Sequence, residues 1–156
     1  MLHLIPAPLH RLALRAAYAV RRRFRMFAKP HLAGVSVLLE DDEGRIMLVR
    51  HNYGPEGWAM PGGGLKRGED PAEAARREMR EELGCELEAL ERLRVIDEVL
   101  GGCPHTAHVF RARPTSDPQV DNRELAELRW LAREGLGALP LVSVTRLRLR
   151  QLGYLA

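Results

Sequence analysis

A glycine-rich loop that runs straight into a short, firmly punctuated helix constrains this chain more than any other stretch. Residues 63–69 read Gly-Gly-Leu-Lys-Arg-Gly-Glu, and residues 70–85 read Asp-Pro-Ala-Glu-Ala-Ala-Arg-Arg-Glu-Met-Arg-Glu-Glu-Leu-Gly-Cys. Asp70 is a good N-cap, Pro71 suits the first helical position, and Glu73 falls where it would complete a capping box. Gly84 supplies the C-terminal stop. Between these signals Ala72, Ala75, Met79 and Leu83 recur at helical spacing as one apolar stripe. Glu78, Glu81 and Glu82 fall together on a different face. Carboxylates three and four residues apart repel each other on a helix surface. Such a cluster is either a solvated acidic face or the oxygen shell of a hard divalent cation.

The stretch as a whole resembles the Nudix box, Gly-x5-Glu-x7-Arg-Glu-U-x-Glu-Glu-x-Gly-U, where U is a bulky apolar residue. Gly63, Glu69, Arg77, Glu78, Met79, Glu81, Glu82 and Gly84 all stand in register. Cys85 fills the last apolar position, a mild departure because cysteine is small yet still a good core residue. The resemblance extends over roughly residues 31–152, with its specific motifs concentrated in 58–85. It implies an α/β Nudix fold, a mixed β-sheet held between α-helices with the box helix tucked against it. It also implies hydrolysis of the diphosphate bond in a nucleoside diphosphate linked to another moiety, or in a nucleoside triphosphate. The alternative is a nucleotide-binding sensor module of the same fold without turnover. Such modules typically lose box glutamates, and this chain keeps them.

By the same resemblance, Glu78, Glu81, Glu82 and the backbone carbonyl of Gly62 would bind Mg²⁺ or Mn²⁺. The ions would orient a water, lower its pKa and stabilise the departing phosphate. Arg77 would orient a neighbouring glutamate through a charge-assisted hydrogen bond, and Glu69 would be a supporting carboxylate. The general base is either Glu81 or a glutamate in a distant loop. Glu124, six residues before Trp130, is the candidate of the second kind, with Glu127 behind it. A tryptophan before the glycine loop, here Trp58, is common in the family, and its expected role is to cap the core rather than to stack on substrate. Substrate marks of several branches are missing. Leu100 and Gly101 stand where ADP-ribose hydrolases often carry proline, and Gly102 and Cys103 where dinucleoside polyphosphate hydrolases often carry tyrosine. Lys66 replaces a glutamate often seen in the loop. A small nucleotide derivative is the expected partner, and no specific nucleic acid.

At 156 residues the chain suits one domain with a sizeable core, and its 46% apolar and 29% charged residues are ordinary for a globular protein. Cys85 and Cys103 do not make a disulfide framework, and buried thiols in a cytoplasmic protein are the simpler reading. No apolar run approaches the ~20 residues of a membrane span. The net charge of +3 hides an asymmetry: residues 1–39 carry seven basic and no acidic side chains, and the remainder carries 17 basic and 21 acidic ones. The chain divides accordingly into a basic N-terminal extension, residues 1–30, and a body, residues 31–156.

Residues 9–27 read as a basic amphipathic helix. Leu9, Leu12, Ala13, Ala16, Val20, Phe24 and Phe27 line one face, and Arg11, Arg15, Arg22 and Arg25 the other. The helix packs on the domain or a partner subunit, lies on an anionic membrane surface, or is a targeting segment; packing is favoured because an apolar stripe is usually core. The arginines lack interleaved aromatics on the polar face, and no DNA- or RNA-binding motif accompanies them, which speaks against nucleic acid. Pro30 is expected to end it. Strands are predicted over Leu32–Leu39 and Arg45–Arg50 around the turn Asp41-Asp42-Glu43-Gly44, then over 93–100, 105–113 and 128–131. Residues 143–152 are read as a helix capped by Ser143 and stopped by Gly153. His105 and His108 would face opposite ways on a strand and make a poor metal pair.

Overall fold

A computed structural model describes residues 7–28, 31–120 and 122–156; within the first helix, the side chains of residues 7, 11, 22 and 24–28 lie outside the description. The expected stop at Pro30, and the expected faces of Arg11, Arg22, Phe24, Arg25 and Phe27, therefore fall outside the described residues.

Two strands with nearly continuous apolar sequence make the centre. Strand β1 (Leu32–Leu39) and strand β2 (Ile46–His51) are buried on both faces over most of their length, as a strand covered on two sides must be. They sit in different sheets. β1 lies between β4 (Gly62–Gly64), antiparallel, and β6 (Cys103–Pro114), parallel, with β5 (Leu87–Leu100) at the edge. β2 lies between β3 (Trp58–Ala59) and β7 (Leu125–Leu131), both antiparallel. The expected mixed sheet is therefore split into a four-stranded mixed sheet and a three-stranded antiparallel one. Alternate residues of β1 and β2 feed two cores. Val35, Val37, Leu39, Met47 and Val49 meet Ala75, Met79 and Leu83 of helix α2 (Pro71–Leu83). Leu38, Ile46 and Leu48 face the opposite side, where Leu149 of helix α3 (Ser143–Gln151) packs with Trp58 and Met60.

Helix α2 begins and ends where the sequence says. The Asp70 carboxylate accepts from the backbone N–H groups of Ala72 and Glu73, Pro71 is the first helical residue, and Gly84 closes the helix in the left-handed region at φ 63°. The capping box is not completed, because Glu73 pairs with Arg76 one turn on instead. Cys85 is buried, and burial pushes its thiol up to about 11. Cys103 is buried as well, and neither cysteine forms a disulfide.

Boundaries differ from expectation at several elements, with β6 opening two residues early at Cys103. β5 starts at Leu87 rather than 93, because register shifts between Glu88 and Glu91 and between Arg92 and Arg94 let irregular sequence stay paired to β6. β7 starts at Leu125 rather than 128, held by pairing to β2. Ser143 is the first residue of α3 rather than its cap: Val142 holds the cap position and no side chain caps the helix.

On the face away from α2, a buried ionic network ties α3 to the sheet. Arg148 donates to both carboxylate oxygens of Glu98 and, at 2.6 Å, to the Ser36 hydroxyl. His105 Nδ1 lies 3.0 Å from the same Glu98 carboxylate, a structural place in keeping with its expected non-metal role. Burial alone would raise the Glu98 pKa, but the bonds from His105 and Arg148 outweigh it and hold the carboxyl below its ordinary value. Thr145 Oγ1 accepts the Met60 backbone N–H at 3.2 Å.

The N-terminal helix α1 (Ala7–Ala28) departs most from expectation. Its apolar face does not pack on the domain. Leu9, Leu12 and Val20 are 58%, 63% and 68% exposed, and Ala13 and Ala16 are exposed too. The polar and aromatic side turns inward instead. Arg15 Nε donates to the Asn52 carbonyl at 3.3 Å, and the Tyr18 ring lies 6.2 Å from that of Tyr53. Among the described residues, no helix is long and apolar enough to cross a membrane.

Two stability predictions follow from the cap and the network. Asp70→Ala removes the cap of α2 and should cost about 1 kcal/mol, or roughly 2–4 °C in thermal midpoint. Arg148→Met strands the buried Glu98 carboxylate and should cost more, on the order of 3–5 kcal/mol at neutral pH. Urea titrations of the two variants beside the wild type test both the sizes and the order.

Candidate active site

The site begins with two glycines, and at the first of them no other residue fits. Gly62 stands at φ 148°, paired to Ser36 on β1, and a Cβ there would meet the Val35 carbonyl oxygen at 2.1 Å. A Cβ on Gly63 would fall 2.4 Å from the Glu78 carboxylate. The missing side chains let strand β4 and helix α2 approach until a carboxylate lies against bare backbone.

Arg77 organises what lies above them. Its Nε and Nη2 grip both oxygens of Glu69 at 2.7 and 2.9 Å, a bidentate fork. Its Nη1 donates to Glu78 at 2.6 Å and to Glu81 at 3.2 Å, and Nη2 reaches the Gly64 carbonyl at 3.1 Å. The expected orientation of one neighbouring glutamate is thus a contact with three. Glu69 also accepts the Lys66 backbone N–H at 2.8 Å, which closes the loop between β4 and α2 on itself. Arg77 first, and the Lys66 N–H second, hold the Glu69 carboxyl down at about 2. Glu78 moves the other way: burial is the largest cause and raises its pKa, Arg77 opposes, and the charges of Glu81 and Glu124 add to the rise.

The box glutamates occupy graded depths. Glu82 is buried and accepts the Gly62 backbone N–H at 3.2 Å, Glu78 is nearly buried, and the Glu81 side chain is 57% exposed. Glu124 arrives from the far side of the fold. The Asn52 N–H donates to the Glu124 carbonyl at 2.9 Å, and the Asn52 side-chain amide donates to the carbonyls of Asn122 and Arg123. The Tyr53 hydroxyl lies 3.5 Å from the Glu124 carboxylate, and burial, then the Glu124 charge, push that phenol well above its ordinary pKa. Asn52 and Tyr53 therefore hold the loop that carries Glu124. Sequence reading assigned neither of them a role. Glu127 points elsewhere, paired with Arg50 and Arg129 at 2.9 Å each.

As donors these groups suit a hard divalent cation, being all oxygen and mostly anionic. The shell is not yet closed as the side chains stand. Among the described residues, no three His, Cys, Asp or Glu side chains are gathered as a metal cage, and the Arg77 guanidinium occupies the space between Glu78 and Glu81. A cation would need those two carboxylates to turn from Arg77.

Beside the site lies a cavity of about 1260 Å³ whose walls include Arg15, Arg50, His51, Tyr53, Trp58 and Arg129. It contains none of the box glutamates, and Tyr53 is its link to them through Glu124. Trp58 is only 5% exposed, with the Arg129 guanidinium 4.9 Å above its ring, so it caps the core as expected. His51 Nδ1 is buried with no hydrogen-bond partner.

Comparison with known proteins places this arrangement. The NUDIX domain family matches residues 30–151. A nucleoside triphosphatase NudI from Enterobacter sp. (strain 638) is 34% identical over 112 residues, covering 65% of this chain and 79% of that protein. An RNA pyrophosphohydrolase from Rhodospirillum rubrum is 46% identical over 55 residues, 35% of this chain, and the match spans only 33% of that relative's length. The crystal structure of a MutT NUDIX hydrolase from Burkholderia pseudomallei superposes with a TM-score of 0.70 at 31% identity, covering 78% of this chain and 98% of that one. The chain belongs to the Nudix family.

The Glu69–Arg77 pair makes a pH prediction. A carboxyl held at about 2 in the fold and near 4.5 when unperturbed favours the folded state above pH 4.5, and that contribution is lost as pH falls towards 2. Glu69→Gln should therefore flatten the fall of stability between pH 4.5 and 2, read from urea midpoints across that range.

Proposed function

We propose that the protein is a divalent-metal-dependent hydrolase that cleaves the diphosphate bond of a nucleoside diphosphate linked to another moiety, or of a nucleoside triphosphate. The observation that carries this reading is the Arg77-centred cluster. It gathers Glu69, Glu78 and Glu81 beside Gly63, with Glu82 anchored to Gly62. Residues 31–156 form the hydrolase domain and residues 1–30 an extension to it. Two buried cysteines outside any disulfide support a cytoplasmic setting.

Glu78, Glu81, Glu82 and the Gly62 carbonyl would hold Mg²⁺ or Mn²⁺. When bound, the ions offset phosphate charge and lower the pKa of a water. Arg77 and Glu69 are positioning residues: the fork between them fixes the guanidinium, which sets the resting rotamers of Glu78 and Glu81. Glu81, the most exposed of the box glutamates, takes the proton of the attacking water. Glu124 is the second candidate for that proton, and the Tyr53 phenol, kept neutral, orients its carboxylate. The cavity beside the site takes the rest of the substrate. Arg50 and Arg129 on its wall suit an anionic ligand, and the unpartnered His51 nitrogen suits a polar one.

A screen decides the reading. Nucleoside triphosphates, nucleoside diphosphate sugars, dinucleoside polyphosphates and 5′-triphosphorylated RNA are offered with Mg²⁺ or Mn²⁺ to wild type, Glu81→Gln and Glu124→Gln. The wild type should cleave at least one compound, and replacing the general base should lower kcat by about 10²–10⁴-fold. The residue whose loss does so is the base. A wild type that binds nucleotides but turns over none faster than Glu81→Gln is a sensor module, and the hydrolase reading then fails.

A further inference from the structure

A helix that docks with its polar side inward leaves an apolar stripe for something else to cover. In α1 the stripe runs through Leu9, Ala13, Ala16 and Val20, with Leu12 at its edge, one face of a 3.6-residue repeat. Tyr18 lies on the opposite side and is the residue that meets the domain, at the Tyr53 ring and 3.5 Å from where a Cβ on Gly54 would stand. Arg15 tethers the same inner side to Asn52. These contacts leave the helix with its apolar face turned away from the protein. A contiguous exposed apolar stripe on a folded protein marks an interaction surface.

Charge chooses the partner. Residues 1–39 carry seven basic side chains and no acidic one; Arg23 is exposed within the arc of the stripe, and Arg21 is exposed on the flank between the stripe and the domain. Two copies packed stripe to stripe would bring these like charges together. An anionic lipid surface complements them and also accepts the apolar face. The 22-residue helix is about 33 Å long at 1.5 Å per residue and is too polar to cross a bilayer, so it suits one lying flat.

We propose that α1 is a peripheral membrane-binding helix, which seats Leu9, Leu12 and Val20 among the acyl chains of an anionic phospholipid surface while Arg21 and Arg23 meet the headgroups. Because Arg15 also lines the cavity, the pocket stands on the membrane-proximal side of the domain. The inference is independent of which bond the site breaks.

Flotation of the full chain with vesicles tests it, comparing phosphatidylglycerol–phosphatidylcholine mixtures with phosphatidylcholine alone. The wild type should float only with the anionic vesicles, and salt should weaken the binding. Arg21→Glu and Arg23→Glu should each lower the partition coefficient by at least about fivefold. Leu12→Glu combined with Val20→Glu should lower it by more than about tenfold. All four side chains are solvent-exposed, so the variants should keep the wild-type circular dichroism and thermal midpoint. Failure to float with anionic vesicles overturns the proposal, as does flotation that the Leu12/Val20 variant leaves intact. A wild-type dimer that the same variant dissolves, with vesicles left bare, assigns the stripe to a second copy and equally overturns it.

Discussion

Everything in the site leans on one guanidinium. Arg77 is nearly buried, spans two carboxylate oxygens of Glu69, and still has donors for Glu78, Glu81 and the Gly64 carbonyl. Only a planar fork with five donors can satisfy that many acceptors at fixed angles, so lysine would not substitute. The geometry explains why so many carboxylates fit on thirteen residues of helix. Without a central cation, Glu78, Glu81 and Glu82 would repel at their three- and four-residue spacing. With it, the cluster folds before any ligand arrives. Glu69 serves that end as well: it clamps the arginine from the loop side and ties the loop to the start of α2.

The guanidinium can do this only because the chain beneath it is bare. Gly62 and Gly63 bring β4 against α2, and both positions are held from the other face of the sheet. Ser36, the partner of Gly62 on β1, receives a hydrogen bond from Arg148. Met60, two residues earlier, donates its N–H to Thr145. Helix α3, far from the glutamates in sequence, therefore pins the strand whose carbonyl is assigned to the cation. A buried ion pair such as Glu98–Arg148 adds little net stability over an apolar pair of the same shape. Its placement under Ser36 gives it a geometric reason to exist.

How much of this was legible in sequence depended on distance along the chain. The box helix, its Asp70 cap, its Gly84 stop and the contacts of Arg77 all lie within about one turn to a few turns of each other, so local rules sufficed. Glu73 and Ser143 show the limit even there, since both had suitable neighbours and took other partners. Strand starts at Leu87 and Leu125 were missed because pairing to β6 and β2, not local propensity, extends them. Asn52 and Tyr53 carried no recognisable mark. Their use comes from a register between β2 and β7, more than seventy residues apart, that no periodicity reveals. The face of α1 was misjudged for a different reason: amphipathicity says that an apolar stripe seeks cover, but not whether the cover is the same molecule.

The same division by distance separates the chemistry from its selectivity. The cluster assigned to bond cleavage is almost wholly local, twenty-three residues with their own cap, stop and counter-charge. The cavity beside it is assembled from β2, β3, β7 and α1, and its walls meet only through long-range pairing. Substitutions on those walls can change what is held without touching Arg77 or its carboxylates, because the walls hold none of the box glutamates and Tyr53 approaches the cluster through Glu124. A fold built this way keeps one reaction while the substrate drifts. That is why a complete box can define the bond broken and leave the rest of the substrate to residues with no motif of their own.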